Sequence, residues 1–199
     1  MTALARVAEI WVFPVKSMAG IAVESAEVEH GGLGGDRSWA VVGEDGATVT
    51  AASAPSLREV VPRLVDGEVC LDVPGAPPGL GVETAGAALS SFLGRSVRLQ
   101  HRDGAGFVDV APVHLVSTAS MADATHADEC DSCDIAAPRA NLVLDLATGA
   151  GSERDWVGRT IGAGASALHV VRLPKHCLGA YADVAVAGKL SRGDEVTAR

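Results

Sequence analysis

Short strand-length segments separated by turn residues run along almost the whole of this chain, and that punctuation leaves few architectures open. VAEIWVF (7–13) and IAVESAEVEH (21–30) alternate in part between apolar and polar side chains. RSWAVVGEDGATVT (37–50) has the form of a hairpin, with Gly43-Glu44-Asp45-Gly46 as its turn. GEVCLDVPG (67–75), RSVRLQH (95–101), DVAPVHLVS (109–117), ANLVLDL (140–146), ALHVVRL (167–173) and DEVTA (194–198) bring the set to about nine. Two stretches read as helices. TAGAALSSFLG (84–94) offers Thr84 as N-cap and Gly94 where a C′ glycine belongs, and STASMADATHA (117–127) starts at Ser117 or Thr118. Many short strands and few helices predict a mainly β, β-rich α+β fold, built as a barrel or a sandwich. PGAPPGLG (74–81) is linker-like but too short to establish two domains, and no internal repeat is visible.

A chain of 199 residues that is 48% hydrophobic and 21% charged can bury a substantial core. Its formal charge of −9 argues against nucleic acid or an anionic membrane as partner, since both require a basic face. Against that acidic background local basic residues stand out, and Lys16, Lys175 and Lys189 are the only lysines. No apolar run approaches the roughly 20 residues of a spanning helix. The N-terminus is interrupted by Arg6 and Glu9 and offers no signal-peptide core. A cytoplasmic setting is therefore expected, with Cys70, Cys130, Cys133 and Cys177 as reduced thiols and no disulfide framework.

Five stretches carry residues suited to chemistry. In FPVKSMAGI (13–21), Lys16 and Ser17 follow a strand end and offer a point charge beside a hydroxyl, a grip for an anion or merely solvated surface. HGGLGGDRSW (30–39) is not a nucleotide-binding loop: its spacing is not GxGxxG, and strand residues follow it. Its glycines suit positive φ and close backbone approach, and Arg37 after Asp36 is either a structural ion pair or a guanidinium reaching a ligand. In APVHLVSTAS (111–120), Ser117, Thr118 and Ser120 form either an ordinary N-cap or an anion site. In PRANLVLD (138–145), Arg139 and Asn141 point to one side of a strand start, a pattern suited to a flat hydrogen-bonding ring or a phosphate. In RLPKHCLGAY (172–181), Lys175 and His176 would enlarge the thiolate fraction of Cys177 if their charges lay close, but neighbours along a strand point apart. Cys130 and Cys133 in DECDSCD make half of a zinc site at most, with His126 upstream and acids that raise a thiol pKa around them.

The order of these stretches says more than any one of them. FPVKSMAGI, GGLGGDRSWAVV, VSTAS, PRANLVLD, then KHCLGAY with a closing GDEV resembles the MOSC family, named for the C-terminal domain of molybdenum cofactor sulfurases. The likeness runs from about residue 5 to the end and matches the family's (Y/F)PVKS, GLxGDR, RxN and near-terminal cysteine. It implies a MOSC-type β-barrel with a few short helices, in one domain over 1–199 with an N-terminal β-rich lobe at 1–75 and a C-terminal barrel part at 84–199. It also implies molybdenum cofactor, a pterin dithiolene with a terminal phosphate. By residue-wise carry-over, Lys16, Ser17, Arg37, Ser117, Thr118, Arg139 and Asn141 are the expected cofactor contacts, and Cys177 the expected catalytic residue and metal ligand.

That family likeness supports two chemistries. In one, Cys177 ligates molybdenum in an oxidoreductase acting on N-hydroxylated substrates; in the other, it is the nucleophile or persulfide carrier of a sulfurtransferase or carbon–sulfur bond enzyme. A cofactor carrier without turnover would use the same cradle. Departures from the family pattern are specific. Pro174 stands where relatives with CPRC have a first cysteine, AYADVAVAGK replaces VDPxTG, and DECDSCD has no family counterpart. No pyridoxal-phosphate, flavin or iron–sulfur module is recognisable, so a separate electron-donor or sulfur-donor protein is the expected partner.

Overall fold

The computed structural model describes residues 2–123, 139–175 and 177–199. The strands in chain order are β1 (Ala3–Val12), β2 (Ile21–Val23), β3 (Ser25–Glu29), β4 (Gly32–Leu33), β5 (Trp39–Gly43), β6 (Val61–Val65), β7 (Glu68–Asp72) and β8 (Leu80–Gly81). They continue with β9 (Val97–His101), β10 (Val113–Ser117), β11 (Leu142–Leu146), β12 (Thr160–Ala163), β13 (Ser166–Arg172), β14 (Ala180–Val186), β15 (Gly188–Ser191) and β16 (Glu195–Ala198). The α-helices are α1 (Ala85–Leu93) and α2 (Thr118–Ala122). The chain divides into two compact units, Met1–Trp11 with Ala22–Gly34 and Asp109–Arg199, and Val12–Ile21 with Gly35–Val108.

The first unit is a closed barrel, one of the two forms that the punctuation of short strands left open and the one that the family resemblance implied. Its strands follow the order β11-β10-β14-β13-β12-β16-β1, and β1 closes the ring by pairing with β11 as well. β1 can do this because it is ten residues long: Arg6 opposes Asp145 on one side and Glu195 on the other. Closure leaves no ring strand with an unpaired edge, which removes a route to aggregation. The pair β10/β11 is parallel, with Leu115 opposite Leu142, and the other ring pairings are antiparallel. Leu115, Leu142, Leu144, Ile161 and Leu168 are buried to within 1% exposure, so the barrel has a packed core. A small antiparallel sheet, β15-β3-β4, belongs to the same unit.

In the second unit β5 pairs with β9 and β6-β7-β8 form a meander around a core that includes Val15, Met18, Leu57, Leu71 and Leu89. Asp66 and Gly67, at φ 53° and 84°, form the two-residue turn between β6 and β7, where a primed turn matches strand twist. Three local expectations need correction. The stretch 37–50 does not form a regular hairpin: β5 takes β9 as its ladder partner, and the return beyond the Gly43–Gly46 turn keeps a single bridge, Val42 to Thr48. Thr84 stands at the N-cap of α1 without capping it, because its Oγ1 donates to the Gly81 carbonyl. Gly94 does end α1 in the left-handed region, at φ 64°. PGAPPGLG joins β7 to β8 inside one unit and is no linker. The second helix begins at its Ser117 cap and is five residues long, while 124–127 lie outside the described residues.

Candidate functional site

In the second unit the FPVKSMAGI loop is fixed to Trp39 and Phe107. Lys16 donates its backbone N–H to the Trp39 carbonyl at 2.8 Å. Its ammonium, only 8% exposed, donates to the Phe107 carbonyl at 2.9 Å. Arg37 meets the same residue from the other side: the Phe107 N–H donates to the Arg37 carbonyl at 2.8 Å. The Lys16 ammonium and the Arg37 backbone carbonyl therefore both meet Phe107, which brings the two residues together from separate stretches of the sequence. The Arg37 guanidinium pairs with Asp36 and lies 5.2 Å from the Phe13 ring centroid. Asp36 in turn accepts the Phe13 N–H at 2.7 Å. The ion-pair alternative left open for Arg37 is thus present.

Ser17 and Arg37 share a further property. Among the described residues three that are not glycine have positive φ, and these are two of them, at 69° and 50°. A left-handed conformation costs such residues on the order of 1 kcal/mol, and strain of this kind collects at functional sites. In the other unit Gly32 has φ 124°, and a Cβ there would come within 2.7 Å of the Pro112 carbonyl oxygen, so this glycine does permit close backbone approach.

The first unit carries the remaining candidates. Cys177 is half-buried and lies in the loop between β13 and β14. The three carbonyls of Cys177, Leu178 and Gly179 are each met by a side chain. Arg154 Nη1 donates to Cys177 at 3.4 Å and to Gly179 at 3.5 Å, while His114 Nε2 lies 2.8 Å from the Leu178 oxygen. A carbonyl only accepts, so His114 carries its proton on Nε2. The Leu178 side chain is buried with Val116, Ala140 and Val143. Gly179 has φ 80°, and any Cβ there would collide with the Leu115 carbonyl on β10. The loop has little freedom to shift.

Arg154 comes from a 3-10 turn, Glu153–Trp156, whose start is a capping box: the Ser152 hydroxyl accepts from the turn and Asp155 accepts from the Ser152 N–H. Glu153 and Trp156 are fully buried, and the Glu153 Oε1 and Trp156 Nε1 have no partner among the described residues. Sequence reading missed Arg154, His114 and Phe107. The only signal for the first was the Ser-x-x-Asp box itself, and for the others there was none.

Asn141 is fully buried and stitches strands: Oδ1 accepts the His114 N–H at 3.1 Å and Nδ2 donates to the Trp11 carbonyl at 3.2 Å. Arg139, half-buried, stands two residues before it. Ser117 realises the N-cap alternative, accepting the Ser120 N–H at 3.0 Å, and the Thr118 hydroxyl donates to Asp145 at 2.8 Å. Lys175 is exposed, and His176, Cys130 and Cys133 lie outside the described residues. One expectation fails at the key residue: Cys177 is disulfide-bonded here, not a reduced thiol, whereas Cys70 is free.

Residues 4–109, more than half of the chain, match the family model of the MOSC N-terminal beta barrel domain. The chain belongs to the MOSC family. Mitochondrial amidoxime reducing component 2 of Rattus norvegicus is 37% identical over 76 residues, 36% of this MOSC chain and 22% of that protein. The protein of the same name from Homo sapiens is 46% identical over 55 residues, 26% of this chain and 16% of that one. The matched part of the chain therefore spans about a fifth of these curated relatives. Among solved structures, the YUAD protein from Bacillus subtilis has a TM-score of 0.48 at 12% identity, covering 96% of this chain and 93% of that one. Among the described residues no helix is long and apolar enough to cross a membrane.

Proposed function

We propose that this MOSC protein binds molybdenum cofactor and reduces N-hydroxylated small molecules, with Cys177 as the molybdenum ligand. The observation that carries the reading is the fixing of the Cys177 loop. A thiolate that must meet a metal at one position needs a backbone that does not wander, and here three successive carbonyls are tied down. The donor set also fits the cofactor: thiolate sulfur suits a thiophilic metal, and the Lys16 ammonium, held on Phe107 with Arg37 bonded to the same residue through its backbone, suits a phosphate within an acidic chain. When bound, the cofactor supplies two-electron chemistry and removal of oxygen from the substrate.

The chain's own residues do the holding. Lys16 and Arg37 meet the anionic end of the cofactor, with the strained Ser17 backbone presenting its hydroxyl beside them. Arg139 faces the pterin side, and Asn141 fixes the strand that carries it. Ser117 and Thr118 act through backbone N–H groups and loop shape, since their hydroxyls are engaged internally. A separate electron-donor protein returns the enzyme to its reduced form. The reading requires Cys177 to be reduced and so places the chain in a reducing compartment, the cytoplasm.

The relatives named amidoxime reducing components support this class of reaction. The test is expression in a host that makes the cofactor, reduction of the disulfide, and assay of metal, pterin and amidoxime turnover. Activity above that of Cys177→Ser is expected; metal-loaded protein without turnover on any N-hydroxylated substrate would reduce the proposal to a cofactor carrier.

One observation favours a second reading. Cys177 is already bonded to another sulfur, so it belongs to a thiol–disulfide couple. In a sulfurtransferase the Cys177 thiolate, freed by reduction of that disulfide, would attack the outer sulfur of a donor protein's persulfide, forming the Cys177 persulfide and releasing the donor's thiolate. Mass spectrometry after exposure to a donor should then show one added sulfur atom on Cys177, and an unmodified residue would count against this chemistry.

A further inference from the structure

Among the described residues, the cation hydrogen-bonded to the Cys177 loop comes from a distant position and not from Lys175. Lys175 is exposed, while Arg154, distant in sequence, places Nη1 on the carbonyls of Cys177 and Gly179 at 3.4 and 3.5 Å. Acids flank Arg154 on both sides, and neither neutralises it. Asp155 is turned onto the Ser152 N–H at 3.1 Å, and Glu153 is buried with its Oε2 on the Ser152 hydroxyl at 3.4 Å. Arg154 forms no ion pair among the described residues, and its Nε and Nη2 make no hydrogen bond there. Among the described residues the guanidinium thus has donors left open at the loop that carries the cysteine.

We propose that Arg154 is the positioning residue of Cys177 and the charge that selects anionic reactants for it. This rests on the reading of Cys177 as the reactive residue. Nη1 spans two carbonyls two residues apart, holding the loop in its bent course. The remaining donors face an approaching anion, whether oxyanion or thiolate.

The test uses the whole chain with its disulfide reduced. Cys177 is alkylated with iodoacetate or with iodoacetamide and read by peptide mapping. Both reagents consume the same thiolate, so the ratio of their rates cancels any change in ionisation and reports the local charge. Cys70, on β7, serves as internal reference. Removing one charge about 6 Å away in a water-like dielectric should lower the ratio about threefold. Arg154→Gln is expected to show that fall at Cys177 and none at Cys70. Arg154→Lys should keep the ratio while speeding amide exchange of residues 178–180, because lysine cannot span both carbonyls.

An unchanged ratio in Arg154→Gln overturns the charge assignment, and unchanged exchange in both variants overturns the positioning role. Should Arg154→Gln fail to fold, the wild type gives the same answer through salt. Its Cys177 ratio should fall toward the Cys70 value by about 0.5 M salt, and a flat response overturns the proposal. Metal and pterin analysis beside these measurements separates the two claims. Neither present with the charge effect intact overturns the cofactor reading alone; both present without the effect overturns Arg154 alone.

Discussion

Gly179 illustrates how narrowly single residues define the Cys177 loop. Its φ of 80° suits glycine, and a methyl group there would strike the Leu115 carbonyl. Gly179→Ala is expected to destabilise the protein by about 2–3 kcal/mol in denaturant unfolding and to lower metal content with it. His114→Phe tests the next link. The imidazole already lies 4.8 Å from the Tyr181 ring, so a phenyl ring keeps that packing but leaves the Leu178 carbonyl without its donor. A loss of about 1–3 kcal/mol is expected from the same unfolding measurement. The contrast with the sequence reading is instructive. The identities of Lys16, Arg37 and Cys177 were legible because their motifs occur in order. The groups that hold them were not, because Phe107 meets Lys16 across 91 positions of chain, His114 meets Leu178 across 64 and Arg154 meets Cys177 across 23. No local pattern encodes a contact of that range.

At the scale of elements, the 3-10 turn Glu153–Trp156 connects helix capping to the site. Ser152→Ala removes the hydroxyl that accepts the Arg154 N–H at 3.2 Å and should cost about 1 kcal/mol of stability. If the turn positions Arg154, exchange of the amides at 178–180 should rise in the same variant, by less than in Arg154→Gln. The β6-β7-β8 meander gives a separate, pH-dependent expectation. The hydrogen bond from Arg63, helped by the Gly79 N–H, holds the Asp72 carboxyl below its ordinary value of 3.8. A carboxyl depressed by folding contributes stability that is fully present above its unfolded value and fades as pH falls through the folded one. An acid titration should therefore loosen this meander below about pH 4 in the wild type, and Asp72→Asn should show no such step. A signal that is local was read correctly at Gly94, which ends α1 in the left-handed region. The 37–50 hairpin is realised only in part: the return keeps the Val42–Thr48 bridge on one edge of β5, while β9 takes the other edge with five register pairs, a partner that no local turn signal reveals.

Across the whole molecule, the mainly β expectation came from punctuation alone, whereas barrel closure depends on β1 pairing with strands from the far end of the chain. Such pairing carries a loop-closure cost, so folding of the barrel unit is expected on the millisecond-to-second scale of non-local β proteins. The family assignment stands on the match over residues 4–109, and the proposed chemistry on the fixed Cys177 loop and the Lys16 ammonium on Phe107. The most direct test of that chemistry is metal and pterin content of reduced wild type beside Cys177→Ser, both expressed where the cofactor is made. Molybdenum and pterin in the wild type, with molybdenum lost and pterin retained in Cys177→Ser, is the predicted result. Neither in the wild type, under conditions that load an amidoxime reducing component, would contradict it.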